Sequence, residues 1–356
     1  MKKIYLAMER ELLVTSQQHG AWQTETHLVG LQPTCLAIDP FQPERVYCGT
    51  FGRGLWYSDD AGHTWKPTGD AGMAMGQWNG DGIFHAKVAS VAVSPAEQAG
   101  RYGVVYAGTE PSAVFRSEDG GETWWEQPAL RHLPSAPSWR FPPRPYTSHV
   151  RWITPDPLAA GRLFAAIEAG ALVRSVDGGQ TWEDRVPGGP FDTHTLVMHR
   201  LAPNRLYSAA GDGFMNPGNG FVESTDGGDT WYRPDDGLQH HYLWSVAVDP
   251  ADPDTIIISA SHSPHQAHDP REAEATIYRK QADEPWQEVR TGLPDTKGTV
   301  IPILASNPAE PATFYALTNK GLYHSTDAGH TWETLTIPWN QQYVHQHQQA
   351  LAISED

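Results

Sequence analysis

Glu110 and Glu168 hold the same place in two similar stretches of sequence. Each follows the aromatic of a short apolar run by four residues, Tyr106 in one case and Phe164 in the other. Asp212 comes five residues after Tyr207, and His262 takes the matching place in the next stretch. A second set stands where later runs begin: His85 with Lys87, His149 with Arg151, Asp192 with His194, His240 with His241, and His345 with His347. Carboxyls crowded together and withdrawn from water take raised pKa values, which suits general acid–base work. Glu110 and Glu168 are therefore the candidate acid/base pair. His149 and His194 suit proton transfer, or the binding of a divalent metal such as zinc, manganese or iron. Arg151 and Arg144 suit the capture of an anionic group. Asp212, His85, His241 and His262 complete the candidate substrate contacts. Cleavage of a glycoside would need two carboxyls about 5–9.5 Å apart. A lone histidine at a strand edge is ordinarily just solvated; the shared register is what groups these residues.

Motifs of fixed spacing add little. No HExxH, GxSxG, Walker loop or strand-borne GxGxxG occurs, so zincin, serine-hydrolase, NTPase and dinucleotide chemistry find no support. His262-x-x-His265-x-x-His268 is the densest histidine run. Its proline-containing loop is expected to be flexible and a weak metal site.

The elements that must position these residues come from a repeat. Ser58–Trp65, Ser117–Trp124, Ser175–Trp182, Ser224–Trp231 and Ser325–Trp332 all fit Ser-x-Asp-Gly/Ala-Gly-x-Thr-Trp. Shorter echoes end at Trp22 and Trp286. The seven tryptophans recur about every 50 residues, a propeller-blade period. Each octet follows a short apolar strand. Its Asp can accept from N–H groups of its own turn, its Gly supplies a positive φ, and its Trp can wedge between blades. The octet is thus a hairpin clasp, not a calcium loop, which needs several carboxylates at alternate positions. Two more strands precede each clasp, as in Thr34–Pro40 with Arg45–Thr50. Four strands, a to d, form a blade with the clasp at the c–d turn. A final strand over 350–355 would join Ile4–Ala7 and Glu11–Val14, so that both termini share the seventh blade. The expected fold is all-β: one seven-bladed β-propeller of four-stranded antiparallel blades, filling 1–356 as a single domain. In that geometry the candidate residues, and the long connections Lys66–Lys87, Trp125–Thr147, Asp212–Gly220 and Ser261–Ala273, share the face away from the clasps.

The clasps resemble the Asp-box, or BNR, repeat of sialidases, xyloglucanases, sortilin-type receptors and photosystem-assembly factors. The chain looks most like small single-domain bacterial propellers described as "glycosyl hydrolase, BNR repeat". The resemblance implies the fold; hydrolase-like activity is its expectation. The sialidase pattern is not met: the nearest Arg-x-Pro, Arg140-Phe-Pro142, lies between the second and third boxes, with no matching tyrosine–glutamate pair. Xyloglucanases are similar at blade level and use two such propellers facing a cleft.

Composition bounds the partners. The chain has 356 residues, 25 Lys plus Arg against 42 Asp plus Glu, and a formal charge of −17. Such a surface repels phosphate backbones and anionic membranes, so neither nucleic acid nor membrane is an expected partner. No secretory h-region or membrane span is visible, and the expectation is a cytoplasmic monomer. Cys35 and Cys48 flank a hairpin and could face each other, but as two thiols they are expected to be small buried hydrophobes. The expected function is hydrolase-like action on a small polar or carbohydrate-like ligand. The alternative is a non-catalytic scaffold that binds a protein or ligand, with Trp78, Trp125 and Trp139 as loop anchors.

Overall fold

A computed structural model describes residues 2–68 and 82–354. These residues form seven antiparallel sheets. The first blade runs Pro33–Ile38, Val46–Thr50, Leu55–Ser58 and Lys66–Pro67. The innermost strands of blades two to six are Lys87–Ala99, Val150–Pro155, Thr193–His199, Tyr242–Asp249 and Ile303–Ser306. Gln348–Ser354 pairs antiparallel with Lys3–Met8, which pairs with Leu12–Gln18 and then Ala21–His27. The two ends of the chain therefore build the seventh blade. Each innermost strand touches its neighbours on either side, and the ring closes through Gln348–Ser354 against Pro33–Ile38. All seven innermost strands line one axial channel of about 270 Å³.

Blades three and four depart from the four-strand expectation. Their outer strand shrinks to one bridge, Arg174 to Glu183 in one and Glu223 to Tyr232 in the other.

The clasps work as their chemistry demands. In the third, Asp177 accepts from the Thr181 amide at 2.8 Å, the Thr181 hydroxyl at 2.6 Å and the Ser175 hydroxyl at 2.9 Å. Gly179 sits at φ +91°, where other residues are strained. Trp124 donates its indole N–H to the Gly121 carbonyl at 3.0 Å and is fully buried. It packs with Tyr47 and Tyr57 of blade one and Phe115 of blade two, so it does wedge between blades. Adjacent clasps are also tied across blades. Arg45, 2% exposed, donates to the Gly120 carbonyl and to Asp59, and lies 3.5 Å from the Tyr57 ring centroid. Arg279 reaches the Ala328 carbonyl at 2.7 Å in the same way. Asp177→Ala should lower stability by about 1–2 kcal/mol through the stranded turn donors. Urea denaturation checks this, and no ligand affinity should change, because no clasp aspartate lies at the opposite mouth.

Cys35 and Cys48 are both free and buried. Cys35 pairs with Gly49 and Leu36 with Cys48, so the two thiols point to opposite faces of the sheet. They enter different cores, one between blades one and two and one between blades seven and one. They do not face each other as the hairpin alone suggested.

Candidate functional site

The mouth away from the clasps opens into a chamber of about 730 Å³. Its walls come from the connection into blade three, the b–c loops of blades three, four and five, and the starts of strand a in blades four, five and seven. Glu168, Asp192, His194 and Asp212 line it, between Phe141, Phe191, Tyr242 and Trp244. A smaller chamber of about 180 Å³ adjoins it and shares Glu168, Phe141, Trp244 and Gln349. Glu110, Arg144, His149 and Arg151 line this second space. The two adjoining chambers thus gather Glu110, Glu168, His149, His194, Arg151 and Asp212, which share the register, and Arg144 from the connection into blade three.

Glu168 is the hub. One of its oxygens meets His149 Nε2 at 2.7 Å and Arg151 Nε at 3.8 Å. The other lies 4.0 Å from His194 Nε2. Asp192 is 3.7 Å from the same nitrogen. His194 is 1% exposed, and its Nδ1 bonds the Leu243 carbonyl at 2.6 Å. Arg151 lies over the Trp244 ring at 4.5 Å. Asp212 accepts from the backbone N–H groups of Phe191 and Asp192 and so fixes the turn carrying Asp192.

The expected raised pKa values of Glu110 and Glu168 are overturned. Burial pushes the Glu168 carboxyl up, but the His149 hydrogen bond and the charges of His149, His194 and Arg151 outweigh it and hold it at about 2. Burial likewise opposes ionisation of Glu110, yet Arg144 binds both its oxygens, at 2.9 and 2.6 Å, with Lys87 at 3.2 Å, and its pKa is lowered. Arg144 is therefore committed to Glu110 and is not a free anion clamp. The carboxyl with the raised pKa is Asp192: burial dominates, His194 opposes it, and Glu168 adds repulsion.

Three expected contacts lie outside both chambers. His85 packs on Phe84 and Phe115, with ring centroids 4.5 and 6.1 Å away. His241 accepts from the Gly218 amide at 3.2 Å. His262 stacks on His240 at 4.0 Å. Of the two histidines expected to pair on a metal, His149 spends its Nε2 on Glu168. Among the described residues, the group with metal-ligand spacing is Glu168, Asp192 and His194. The loop of blade five is ordered rather than slack: Ser263 caps a short helix, Pro264–His268, through the Gln266 amide at 3.2 Å. That helix delivers His268 to the chamber, where its Nδ1 meets His347 Nε2 at 2.5 Å. Trp139 is buried in the core between blades two and three and cannot serve as a surface anchor. Trp125 is half exposed but sits in the outer strand of blade two, opposite Arg116, and Trp78 lies outside the described residues.

The His268–His347 contact gives a pH prediction. Burial, then the neighbouring His347, pushes His268 well down; burial pushes His347 down to about 4. A base with a folded pKa below its unfolded value stabilises the fold above the unfolded value of about 6.5. That contribution is lost as pH falls from about 6.5 towards 4. Melting temperature should drop across this window, above the range where clasp aspartates protonate, and His347→Gln should flatten the drop.

The family model for the BNR/Asp-box repeat matches residues 56–67. That segment carries the first full clasp and the strand leading into it, and the same clasp recurs around the ring. This chain is a seven-bladed β-propeller that carries the Asp-box, or BNR, repeat. A curated relative of the Asp-box propeller is the oligoxyloglucan-reducing end-specific xyloglucanase of Emericella nidulans, 31% identical over 90 residues. The match covers 25% of this chain and 10% of that enzyme. Among solved structures, an ancestral GH74 enzyme aligns at TM-score 0.63 and 18% identity, over 87% of this chain and 39% of that one. YCF48 bound to D1 peptide aligns at TM-score 0.55 and 16% identity, over 85% and 82%. The Asp-box propeller thus spans about two fifths of the length of the GH74 enzyme. At such identities the solved structures speak for the fold alone. No helix among the described residues is long and apolar enough to cross a membrane.

Proposed function

We propose that this Asp-box propeller is a hydrolase-like enzyme that takes a small polar, carbohydrate-like substrate at the channel mouth. The observation carrying this reading is the convergence of Glu168, Asp192 and His194 on the wall of a chamber that Phe141, Phe191, Tyr242 and Trp244 also line. Apolar walls with a few converging polar groups are the usual make-up of a small-molecule site. Aromatic faces suit the C–H faces of a sugar ring. The Glu168 centre would handle the reacting bond, and Arg151 beside it would hold a polar or anionic substituent. His149 acts through Glu168 as a positioning residue, since its Nδ1 is buried. The xyloglucanase relative makes xyloglucan oligosaccharides and aryl glycosides the first substrates to test.

The test is release of reducing ends or aryl alcohol from such a panel. Glu168→Gln should reduce kcat/KM by about 100-fold or more, a loss of about 2.7 kcal/mol or more in transition-state stabilisation. No turnover of any glycoside by wild-type protein would end the hydrolase reading. A scaffold reading has its own support in the exposed apolar rim of Phe191, Phe214 and Met215, which suits a peptide as well as a sugar. Binding without turnover is its expected signature.

A further inference from the structure

We propose that Glu168, Asp192 and His194 form a binding site for a first-row divalent cation such as Zn²⁺ or Mn²⁺. One donor atom from each residue lies within 4.8 Å of the other two. The rest of each side chain is already anchored. Glu168 is held by His149 through one oxygen, so the other is left over. Asp192 accepts from the Ala169 amide at 2.7 Å through Oδ1, which leaves Oδ2. His194 is fixed by Nδ1 on the Leu243 carbonyl, which leaves Nε2. Among the described residues the three remaining atoms have no hydrogen-bond partner, and they face one another.

The imidazole points to a cation independently of the carboxylates. His194 is 1% exposed, yet its Nε2 is directed into the chamber at two carboxyl groups, 3.7 and 4.0 Å away, beyond hydrogen-bond reach. An imidazole held by Nδ1 on a backbone carbonyl is the arrangement that fixes a metal-ligating tautomer, and outer partners of this kind commonly orient first ligands. Bonds of about 2.0–2.2 Å to a central ion would draw these atoms in by less than about 1 Å. Two oxygens and one imidazole nitrogen suit zinc, manganese or iron(II), and three protein ligands leave positions open for a substrate or water. The backbone makes room for the group as well. A Cβ on Gly211 would lie 2.2 Å from Asp192 Oδ2 and 2.8 Å from His194 Cε1. A side chain there would force the cluster apart.

The experiment uses the full chain, stripped with chelator and titrated with Zn²⁺ and with Mn²⁺, with bound metal counted by mass spectrometry. One ion per chain is expected. Asp192→Asn, which keeps the shape, should weaken binding by about 100-fold. His149→Gln, which loosens the Glu168 anchor, should weaken it by about 10- to 100-fold. His265→Ala, on the exposed side of the short helix, should leave it unchanged. Absence of stoichiometric metal, binding that survives both Asp192→Asn and His194→Ala in folded protein, or binding abolished by His265→Ala would each overturn the proposal. The inference concerns the same chamber as the hydrolase reading but goes beyond it. A chain that binds one ion and cleaves nothing keeps the metal site and loses the hydrolase. A chain that cleaves glycosides but takes up no stoichiometric ion does the reverse.

Discussion

A chain ending at His347 is expected to lose cooperative folding. The deleted strand, Gln348–Ser354, is the innermost strand of the seventh blade and hydrogen-bonds along the whole of Lys3–Met8. It also closes the ring against Pro33–Ile38 and Ile303–Ser306. Its loss would bare the buried edge formed by Ile4, Tyr5, Leu6 and Ala7. An unpaired apolar edge of this kind pairs with other chains. Calorimetry with light scattering should show a melting temperature lower by more than about 10 °C and aggregation on standing. A truncated protein with the parent's melting temperature and no added scattering would mean that the ring does not depend on closure by the C-terminal strand.

The second large effect is at Glu168. Glu168→Ala should destabilise the fold by about 3–5 kcal/mol, because it leaves the Arg151 guanidinium without its counter-charge and His149 without its hydrogen-bond partner. Arg151 and His149 keep side-chain exposures of only 12% and 7%. Glu168→Gln retains an acceptor for His149 and should cost less. Urea denaturation of the two variants separates the charge from the shape. A change below about 1 kcal/mol in Glu168→Ala would show that Glu168 is not the hub of the network.

The fold was legible because the clasp is a local device with a fixed spelling. Asp177, Gly179 and Trp182 each answer a need of the same turn, and such needs do not depend on the rest of the chain. The face assignment follows from propeller geometry, in which b–c loops and d-to-a connections share one face, so register groups Glu168, His194 and Asp212 from the sequence. What failed depended on loops. His241 and His262 stand in the right register, but their loops turn them into the Gly218 amide and the His240 ring. His268 looked like part of a slack run until Ser263 capped a helix beneath it. Asp192 stood beside His194 in the register yet was passed over for Glu110, because sequence does not reveal that Arg144 returns along its loop to neutralise Glu110. The same blindness reversed the expected pKa directions: crowding was foreseen, the arginine and histidine partners were not. Trp244 follows Tyr242 by two, as Arg151 follows His149, and that parallel was the available sign that both face the channel.

The most direct test of the central claim is a crystal structure of Glu168→Gln soaked with a xyloglucan-derived oligosaccharide. A sugar ring is expected in the larger chamber, stacked on Trp244 or Phe191, with its scissile linkage facing Asp192 and His194. Sugar density confined to the clasp face or the outer loops, or none at concentrations that saturate turnover, would contradict it.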